Sequence, residues 1–330
     1  MKGKQYTELL QAARSIEAAD AAEADELAFM ARLLVQTTLP HSDPGDVKAF
    51  ERVNGDVRLF VQPGPATGIP YGSYPRLILA WLTAEAIRTR SPRVVLGDSL
   101  SGFMRELGIV PTGGRWGSIR QLREQMRRLF AARVAALQAG QDVERMASME
   151  VATGYELWWT PRDPDQAAMW ESTVTLGDSF FREIMAHPVP LDMRALRALR
   201  RSPLGLDLYA WLVHRMGYLK ASVFIPWAML LGQFGADYAN PKDAKRKIRR
   251  ELGKIALVWP SLRVSYARGG LTLHPSPTHV SRALASSAAP DGIPSRGNAE
   301  VLEPEALAPP SKARRKRPSK PFGGGGQPGG

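Results

Sequence analysis

The sequence predicts an α+β protein in which two small domains follow each other along the chain. Three observations lead to this prediction. The same order of helical and strand patterns occurs twice between residues 63 and 280, an acidic, alanine-rich segment precedes both copies, and a segment rich in proline and glycine follows them. The 330 residues, 44% of them hydrophobic, are enough chain for domains of ordinary size, each with its own core.

Residues 1–62 are predicted to form an N-terminal helical extension that ends in a short strand. Acids and alanines between Glu17 and Glu26 continue into apolar positions as far as Leu34, a pattern typical of an amphipathic helix. Two prolines then end the helix, and Val57 to Val61 follows as a strand.

The first copy of the repeated order is predicted to occupy residues 63–165. Its elements are a helix around Leu77 to Leu82, an apolar segment at Val94 to Leu96, a compact helix from Ser99 to Leu107 and a basic helix from Gly117 to Leu137. A pair of short alternating strands is expected after the basic helix.

The second copy is predicted to occupy residues 166–280. Its elements are a helix around Leu206 to Val213, an apolar segment at Ser222 to Ile225, a compact helix from Pro226 to Phe234, a basic helix from Pro241 to Val258, and two strands joined at Gly269-Gly270. Helix, strand, helix, turn, helix and hairpin is the order of a winged helix, an elaboration of the helix-turn-helix. The sequence therefore predicts two tandem winged-helix domains.

The remaining segment, residues 281–330, is predicted to be a disordered, basic tail because it is rich in proline and glycine and has few apolar residues. Its cationic cluster between Lys312 and Lys320 is open to two interpretations. It is either a solvated, solubilising tail or an auxiliary contact to phosphates.

The charge of the chain favours a polyanionic partner. Lysine and arginine number 44 against 32 acids, so the formal net charge is +12. Nucleic acid is the first candidate and an acidic membrane surface the second. The absence of cysteine excludes disulfides, thiolate metal sites and cysteine nucleophiles and is typical of a reducing compartment. With no secretory signal pattern and no apolar stretch long enough for a bilayer, we expect a cytoplasmic protein without membrane contact.

The second basic helix is the strongest candidate for DNA contact. Apolar residues at Ala244, Ile248, Leu252 and Ile255 recur at helical spacing and predict its buried side. Its cations repel one another, and the backbone of a DNA duplex would relieve that repulsion. The alternative is an ordinary helix face that is solvated by water. The residues of this helix predicted to contact DNA, in the manner of a major-groove helix, are Lys242, Lys245, Arg246, Arg249, Arg250 and Lys254.

The first basic helix and the last hairpin supply further candidates. The helix is long, so its arginine stems could instead cover apolar surface or an inter-domain seam, and the hairpin arginine could simply be solvated. The candidates for DNA contact here are Arg115, Arg120, Arg123, Arg127 and Arg128 near the first helix and Arg268 in the hairpin turn.

Sequence signatures of common enzymes are missing. The chain has no P-loop, no His-x-His pair, no His-Glu-x-x-His motif and no Gly-x-Ser-x-Gly elbow. We therefore expect no catalytic activity, no cofactor and no metal site. Trp81, Trp211 and Trp227 lie at helical core positions and are predicted to be buried rather than to stack on bases.

Several stretches of the sequence are similar to the plasmid-encoded RepA replication initiators. The stretches that carry the resemblance are Ile69 to Leu82, Leu96 to Leu100, Phe103 to Ile109, Thr112 to Met126, Phe224 to Trp227 and Lys245 to Leu252. The resemblance implies binding to repeated duplex sites (iterons) at a plasmid origin, opening of nearby DNA, and recruitment of the host replication initiator and replicative helicase. It assigns DNA contact to Lys245, Arg246, Arg249 and Arg250, and to Arg115, Arg120 and Arg123.

Two rival functions remain open at this stage. A transcriptional repressor could share the fold, and an initiator of this kind could also repress its own promoter. A nicking or priming enzyme is the second rival. Homodimerisation through the first winged helix or the acidic N-terminal segment is a further hypothesis.

Overall fold

A computed structural model describes residues 3–139, 144–159, 163–166, 171–235, 238 and 240–281 of the chain. These residues mix helices with antiparallel sheets, which confirms the α+β class. The tail predicted from residue 281 lies outside the described residues apart from Ser281 itself. Within the described ranges, no helix is both long enough and apolar enough to cross a bilayer.

The described residues form ten helices and twelve strands. The helices are α1 Gly3–Ala18, α2 Arg32–Gln36, α3 Ser73–Thr89, α4 Leu100–Glu106, α5 Ser118–Ala131, α6 Asp178–Ala186, α7 Met193–Leu199, α8 Pro203–Met216, α9 Trp227–Phe234 and α10 Pro241–Val258. The strands are β1 Leu27–Ala31, β2 Phe50–Asn54, β3 Val57–Gln62, β4 Arg93–Val95, β5 Arg133–Ala139, β6 Glu144–Glu150, β7 Ala152–Glu156, β8 Thr173–Leu176, β9 Pro188–Asp192, β10 Val223–Pro226, β11 Val264–Tyr266 and β12 Gly270–Leu273.

The second copy of the repeated order has the elements that the sequence predicts. Helix α8 is followed by β10, α9, α10 and the hairpin β11–β12, and the three strands form one antiparallel sheet in the order β10-β12-β11. Leu271 and Leu273 of the middle strand are fully buried. The hairpin therefore folds back onto the strand that precedes α9.

The first copy keeps this order but contains an extra pair of strands. Helices α3, α4 and α5 and strand β4 are present, and a three-stranded sheet has the order β4-β8-β7. Strand β8 thus occupies the position in its sheet that β12 occupies in the second copy, and β7 that of β11. Because β8 spans Thr173–Leu176, the sheet is completed beyond the predicted boundary at residue 165.

The hairpin expected directly after the first basic helix belongs to a different sheet. Strands β5 and β6 pair with each other, and β5 also pairs with β3, which gives a four-stranded sheet in the order β2-β3-β5-β6. Leu59 and Val61 of β3 lie opposite Ala136 and Val134 of β5, and all four side chains are buried. The N-terminal strands therefore extend the first copy rather than standing apart from it.

Two helix predictions were wrong. The first basic helix ends at Ala131 rather than Leu137, because the alternating residues from Arg133 onward form β5. The expected helix from Glu17 to Leu34 is also absent: α1 ends at Ala18, and β1 pairs with β9. Nearly every side chain of β1 is buried, so its continuous apolar run fits a strand buried on both faces as well as it fits a helix.

A buried ion pair joins the opening helices of the two copies. The Arg76 guanidinium of α3 donates to the Asp207 carboxylate of α8 through Nε at 2.6 Å and Nη2 at 2.7 Å, and His41 Nε2 lies 2.8 Å from the same carboxylate. Burial alone would raise the pKa of Asp207, but the charge of Arg76 and the hydrogen bonds from Arg76 and His41 hold that pKa below its ordinary value. The contact fixes α3 against α8.

Helix α1 packs across the second copy. It contacts α7 and α10, and its Leu9 side chain is fully buried. Arg194 of α7 donates to the carbonyl oxygens of Ser15 and Ala19 at 2.7 and 3.0 Å, which satisfies backbone acceptors at the end of α1. The N-terminal helix is thereby held beside the second basic helix.

Candidate nucleic-acid interface

Helix α10 is oriented by its cap and by its buried side. The Asn240 side chain accepts a hydrogen bond from the Lys242 backbone N–H at 2.9 Å, and Pro241 occupies the first turn. The predicted stripe of Ala244, Ile248, Leu252 and Ile255 is buried against the core. The opposite face of the helix is therefore directed to solvent.

This outer face carries most of the predicted cations. Lys242, Arg246, Arg249 and Arg250 are exposed and Lys245 is half-buried. Arg246 has 80% of its side chain exposed and pairs with a partly exposed neighbour, Asp243, at 2.8 Å. A surface pair of this kind contributes little to stability, so its guanidinium can exchange partners at low cost.

Arg249 is held between two aromatic side chains. Its guanidinium carbon lies 5.1 Å from the ring centre of Trp227, at the start of α9, and 5.5 Å from that of Tyr266, on β11. Trp227 is buried, as the sequence predicts. Burial also raises the pKa of the Tyr266 hydroxyl against the opposing charge of Arg249, so this ring stays neutral. The two cation–π contacts connect α10 to the hairpin and restrict the arginine to one region of space.

Lys254 does not belong to the outer face on which the sequence placed it. Only 7% of its side chain is exposed, and its ammonium lies 2.8 Å from the Glu251 carboxylate. Glu251 is fully buried and also accepts a 3.0 Å contact from Arg250. The helix turns Lys254 inward beside α1 and α8, and the helical period alone does not reveal this because both neighbours come from distant parts of the sequence.

The hairpin after α10 carries Arg268 in its turn, where the side chain is exposed as expected. His274 bridges this hairpin to the residue before β10: its Nδ1 lies 2.9 Å from Ser222 Oγ and its Nε2 lies 2.8 Å from Ser265 Oγ. This bridge could not be predicted from the sequence, since Ser222 lies 52 residues away from His274 along the chain. It positions the hairpin at the edge of the surface formed by α10.

The first basic helix, α5, presents a second cationic surface. Arg120 and Arg127 are exposed and Arg123 is half-buried. Burial lowers the pKa of Arg123, and the nearby charge of Arg127 lowers it further, although an arginine remains protonated at any physiological pH. These three arginines lie on the solvent side of α5, opposite its buried Leu122 and Met126.

Arg128 was wrongly placed on that solvent side. Only 18% of its side chain is exposed, and it is paired with Glu124 at 2.9 Å. It also donates to the Ile69 carbonyl oxygen at 3.3 Å and lies 5.2 Å from the centre of the Tyr71 ring. Arg128 thus fastens the loop before α3 to α5, which matches the alternative interpretation that arginine stems cover apolar surface.

The turn before α5 exposes an aromatic side chain that the sequence did not single out. Trp116 is 80% exposed and lies under the Arg115 guanidinium, 5.2 Å from the ring centre. Reciprocal hydrogen bonds between Thr112 and Ser118, from each backbone N–H to the other side chain at 2.9 Å, close the turn. The turn is therefore well defined even though its tryptophan is not packed.

Part of the chain is similar in sequence to a known family. A family model described as plasmid encoded RepA protein matches residues 69–227, a little under half of the chain. This segment is therefore similar to the plasmid-encoded RepA proteins. The RepA segment runs from just before α3 to the first residue of α9, so it contains α5 with Arg115, Arg120 and Arg123. It ends before α10, so the assignments to Lys245, Arg246, Arg249 and Arg250 lie outside it.

Solved structures give two further similarities. The crystal structure of RctB domains 2–3 (RctB-155-483) is 11% identical in sequence, with a TM-score of 0.46, and the match covers 73% of this chain and 94% of that chain. Selenomethionine derivatives of RctB domains 2 and 3 match at 10% identity and a TM-score of 0.49, covering 74% and 96% of the two chains. A comparison with curated proteins gives no match.

Proposed function

We propose that this protein initiates plasmid replication by binding repeated duplex sites at the plasmid origin, and that it carries no catalytic activity. Each of its two repeated units is interpreted as a winged helix, with α5 and α10 as the groove-binding helices. The match of residues 69–227 to the plasmid-encoded RepA family model supports the role in replication. The initiator would act by deforming DNA and recruiting host proteins, including the host initiator and the replicative helicase.

The observation that carries the proposal is the outer face of α10. It combines an exposed arginine, Arg246, with Arg249, which is oriented by rings from α9 and the hairpin. A major-groove helix needs side chains of this kind, because arginine can donate two parallel hydrogen bonds to guanine O6 and N7. The β11–β12 turn with Arg268 stands beside it, as a wing that reaches the DNA backbone would.

The equal strand order of the two three-stranded sheets supports a tandem arrangement. In both sheets the strand that comes last in sequence lies in the middle, and in both units a basic helix precedes it. Each basic helix would then occupy one major-groove face, about a helical turn from the other. Several bound copies would strain the duplex and favour melting of adjacent A·T-rich DNA, since flexible steps deform at lower cost.

A replication assay tests the proposal against its rivals. A reporter plasmid that carries the origin but lacks this gene is introduced with the wild-type protein, with the double variant Arg246→Ala/Arg249→Ala, or with Arg58→Ala as a control. Arg58 is an exposed arginine of β3 that pairs only at the surface, with Glu51 at 3.4 Å. We expect the plasmid to be maintained with the wild type and the control, and to be lost with the double variant.

Other outcomes of the same assay contradict the proposal. Maintenance with the double variant would remove α10 as the origin-binding helix. Failure with the wild type, together with repression of a promoter reporter, would favour the transcriptional repressor. Magnesium- or manganese-dependent nicking or nucleotide incorporation by the purified protein would favour the enzyme.

A further inference from the structure

An open cleft of about 690 Å³ lies between α1, the start of α8 and α10. The side of α10 that borders it carries Lys247, Arg250 and Lys254 and lies next to the outer face with Arg246 and Arg249. The volume falls within the range of about 300–1,000 Å³ that small-molecule sites occupy. None of the functions considered above uses this cleft as a small-molecule site.

The cleft is strongly cationic. Four positively charged side chains line it, namely Arg201, Lys247, Arg250 and Lys254, against a single lining carboxylate, Glu251, among the described residues. Two of the four cations share that carboxylate: Lys254 lies 2.8 Å from it and Arg250 3.0 Å. One carboxylate cannot neutralise two cations, so this group of three side chains keeps a net positive charge.

At the edge of the cleft, a second carboxylate is likewise shared by two cations. The Glu8 carboxylate of α1 is shared by Arg201, at 3.1 Å, and Arg200, at 3.3 Å. Lys247 has its ammonium 4.4 Å from the centre of the Tyr238 ring, an aromatic rather than an acidic neighbour. Positive charges gathered in a partly desolvated cleft repel one another, and an anion with several negative oxygens would relieve that repulsion.

The remaining lining groups suit a ligand with both phosphates and a flat ring. Ser202, the N-cap of the fourteen-residue helix α8, places the positive end of a helix dipole at the cleft. Pro203 and Leu204 supply an apolar wall, and Tyr238 an aromatic edge. We propose that this cleft binds a nucleoside diphosphate or triphosphate, its phosphates among Arg201, Arg250 and Lys254 and its base beside Tyr238.

Nucleotide binding here would act on DNA binding. Lys247 and Arg250 stand on the same helix as Arg246 and Arg249, within one turn of them, so a bound nucleotide places several negative charges next to the DNA-facing cations. Those charges would repel DNA phosphates and weaken the complex. This consequence rests on the proposed function, whereas nucleotide binding itself does not.

A titration with fluorescent nucleotides tests the proposal without DNA. The full chain is added to N-methylanthraniloyl-labelled ADP or ATP, anisotropy is followed, and unlabelled ADP, adenosine or tripolyphosphate is used to compete. We expect saturable binding, displacement by ADP and by tripolyphosphate, and competition by adenosine that is weaker by about tenfold or more.

Matched variants locate the site. Arg201→Ala leaves Glu8 with Arg200, and Lys247→Ala removes no partner of a buried carboxylate, so both are expected to fold. Each should weaken nucleotide binding by about tenfold, as expected for the loss of a charge-assisted contact. Arg246→Ala, on the outer face of the same helix, should leave it within about twofold, the effect of a screened surface charge.

Two outcomes would overturn the proposal: no saturable nucleotide binding, or equal losses of nucleotide affinity for Arg246→Ala and Arg201→Ala. If nucleotide binding is absent and Arg201→Ala binds duplex DNA more weakly than the wild type, the phosphates in the cleft come from the DNA backbone. Failure of nucleotide binding with intact origin binding would reject this proposal alone. Nucleotide binding by a protein that does not recognise the origin would reject the initiator instead.

Discussion

Arg249 lies over the rings of Trp227 and Tyr266, so its guanidinium is oriented before any partner binds. A side chain that is already ordered loses less conformational entropy when it makes its hydrogen bonds. The helical period predicted that this residue faces outward. It could not predict the two rings, because they come from α9 and β11, on either side of α10 in the sequence.

Replacing Arg249 tests its role as a base-reading residue. Arg249→Ala should weaken origin binding by about tenfold or more, the usual cost of losing a bidentate contact to guanine. Arg249→Lys keeps the charge but loses the planar group, so it should fall between the alanine variant and the wild type. Fluorescence anisotropy with a labelled origin duplex at fixed salt measures both, and equal affinities for all three proteins would exclude a reading role.

Glu183 makes the stability depend on pH. Burial raises the pKa of this carboxyl to about 7, against the opposing attraction of Arg32. The folded protein therefore binds more protons than the unfolded chain between the ordinary pKa of 4.5 and about 7, and the free energy of unfolding falls as the pH rises through this window. The stabilising contribution is complete below the window and lost above it.

Glu183→Gln should remove this dependence. The variant cannot ionise, so it should match the wild type near pH 4.5 and exceed it at pH 8 by about 1–3 kcal/mol in the free energy of unfolding. Urea denaturation at both pH values measures the difference. A gap between variant and wild type that does not grow with pH would show that Glu183 is ionised in the folded protein at neutral pH.

Elements whose partners are near in sequence were predicted best. Helix α10 begins at Pro241 and ends at Val258, as expected, because proline, an asparagine cap and an unbroken apolar stripe define it locally. Strand β1 could not be predicted, since its partner β9 lies about 160 residues away along the chain. The same limit explains α5, whose end depends on the pairing of β5 with β3.

The contact between helices α3 and α8 could not be predicted from the sequence either. Arg76 and Asp207 are each unremarkable in their own apolar helix, and only the fold brings them within 2.6 Å. Removing one partner of such a buried pair destabilises the fold, because the remaining charge is left without compensation in a desolvated site.

Arg76→Leu should therefore lower the free energy of unfolding by about 3–5 kcal/mol. The double variant Arg76→Leu/Asp207→Leu should lose less than the sum of the two single variants, since neither charge is left behind. Chemical denaturation of the three variants and the wild type completes the cycle. Additive losses would show that the two side chains do not act as a pair.

At the scale of the whole molecule, the net charge of +12 predicts steep salt dependence of DNA binding. Five of the cations predicted to contact DNA lie exposed or half-buried along α10, namely Lys242, Lys245, Arg246, Arg249 and Arg250. If each displaces one counterion from a phosphate, log Kd against log salt should have a slope of about 4–5 from this helix alone.

The double variant Arg246→Ala/Arg249→Ala should reduce that slope by up to about two, depending on how many of the two arginines contact phosphates rather than bases. Titrations between low and physiological salt measure it. The control Arg58→Ala should keep both the wild-type slope and the wild-type affinity. A loss of equal size in the control would assign the effect to overall charge rather than to α10.

The most direct test of the account is binding of the wild-type protein to its plasmid origin fragment and to a scrambled duplex of equal length, titrated across salt. We expect a preference for the origin of about a thousandfold or more at physiological salt, with laddered complexes as successive repeats are occupied. Equal affinity for the two duplexes at every salt concentration would contradict it, because a protein that cannot distinguish its origin cannot initiate there by sequence recognition.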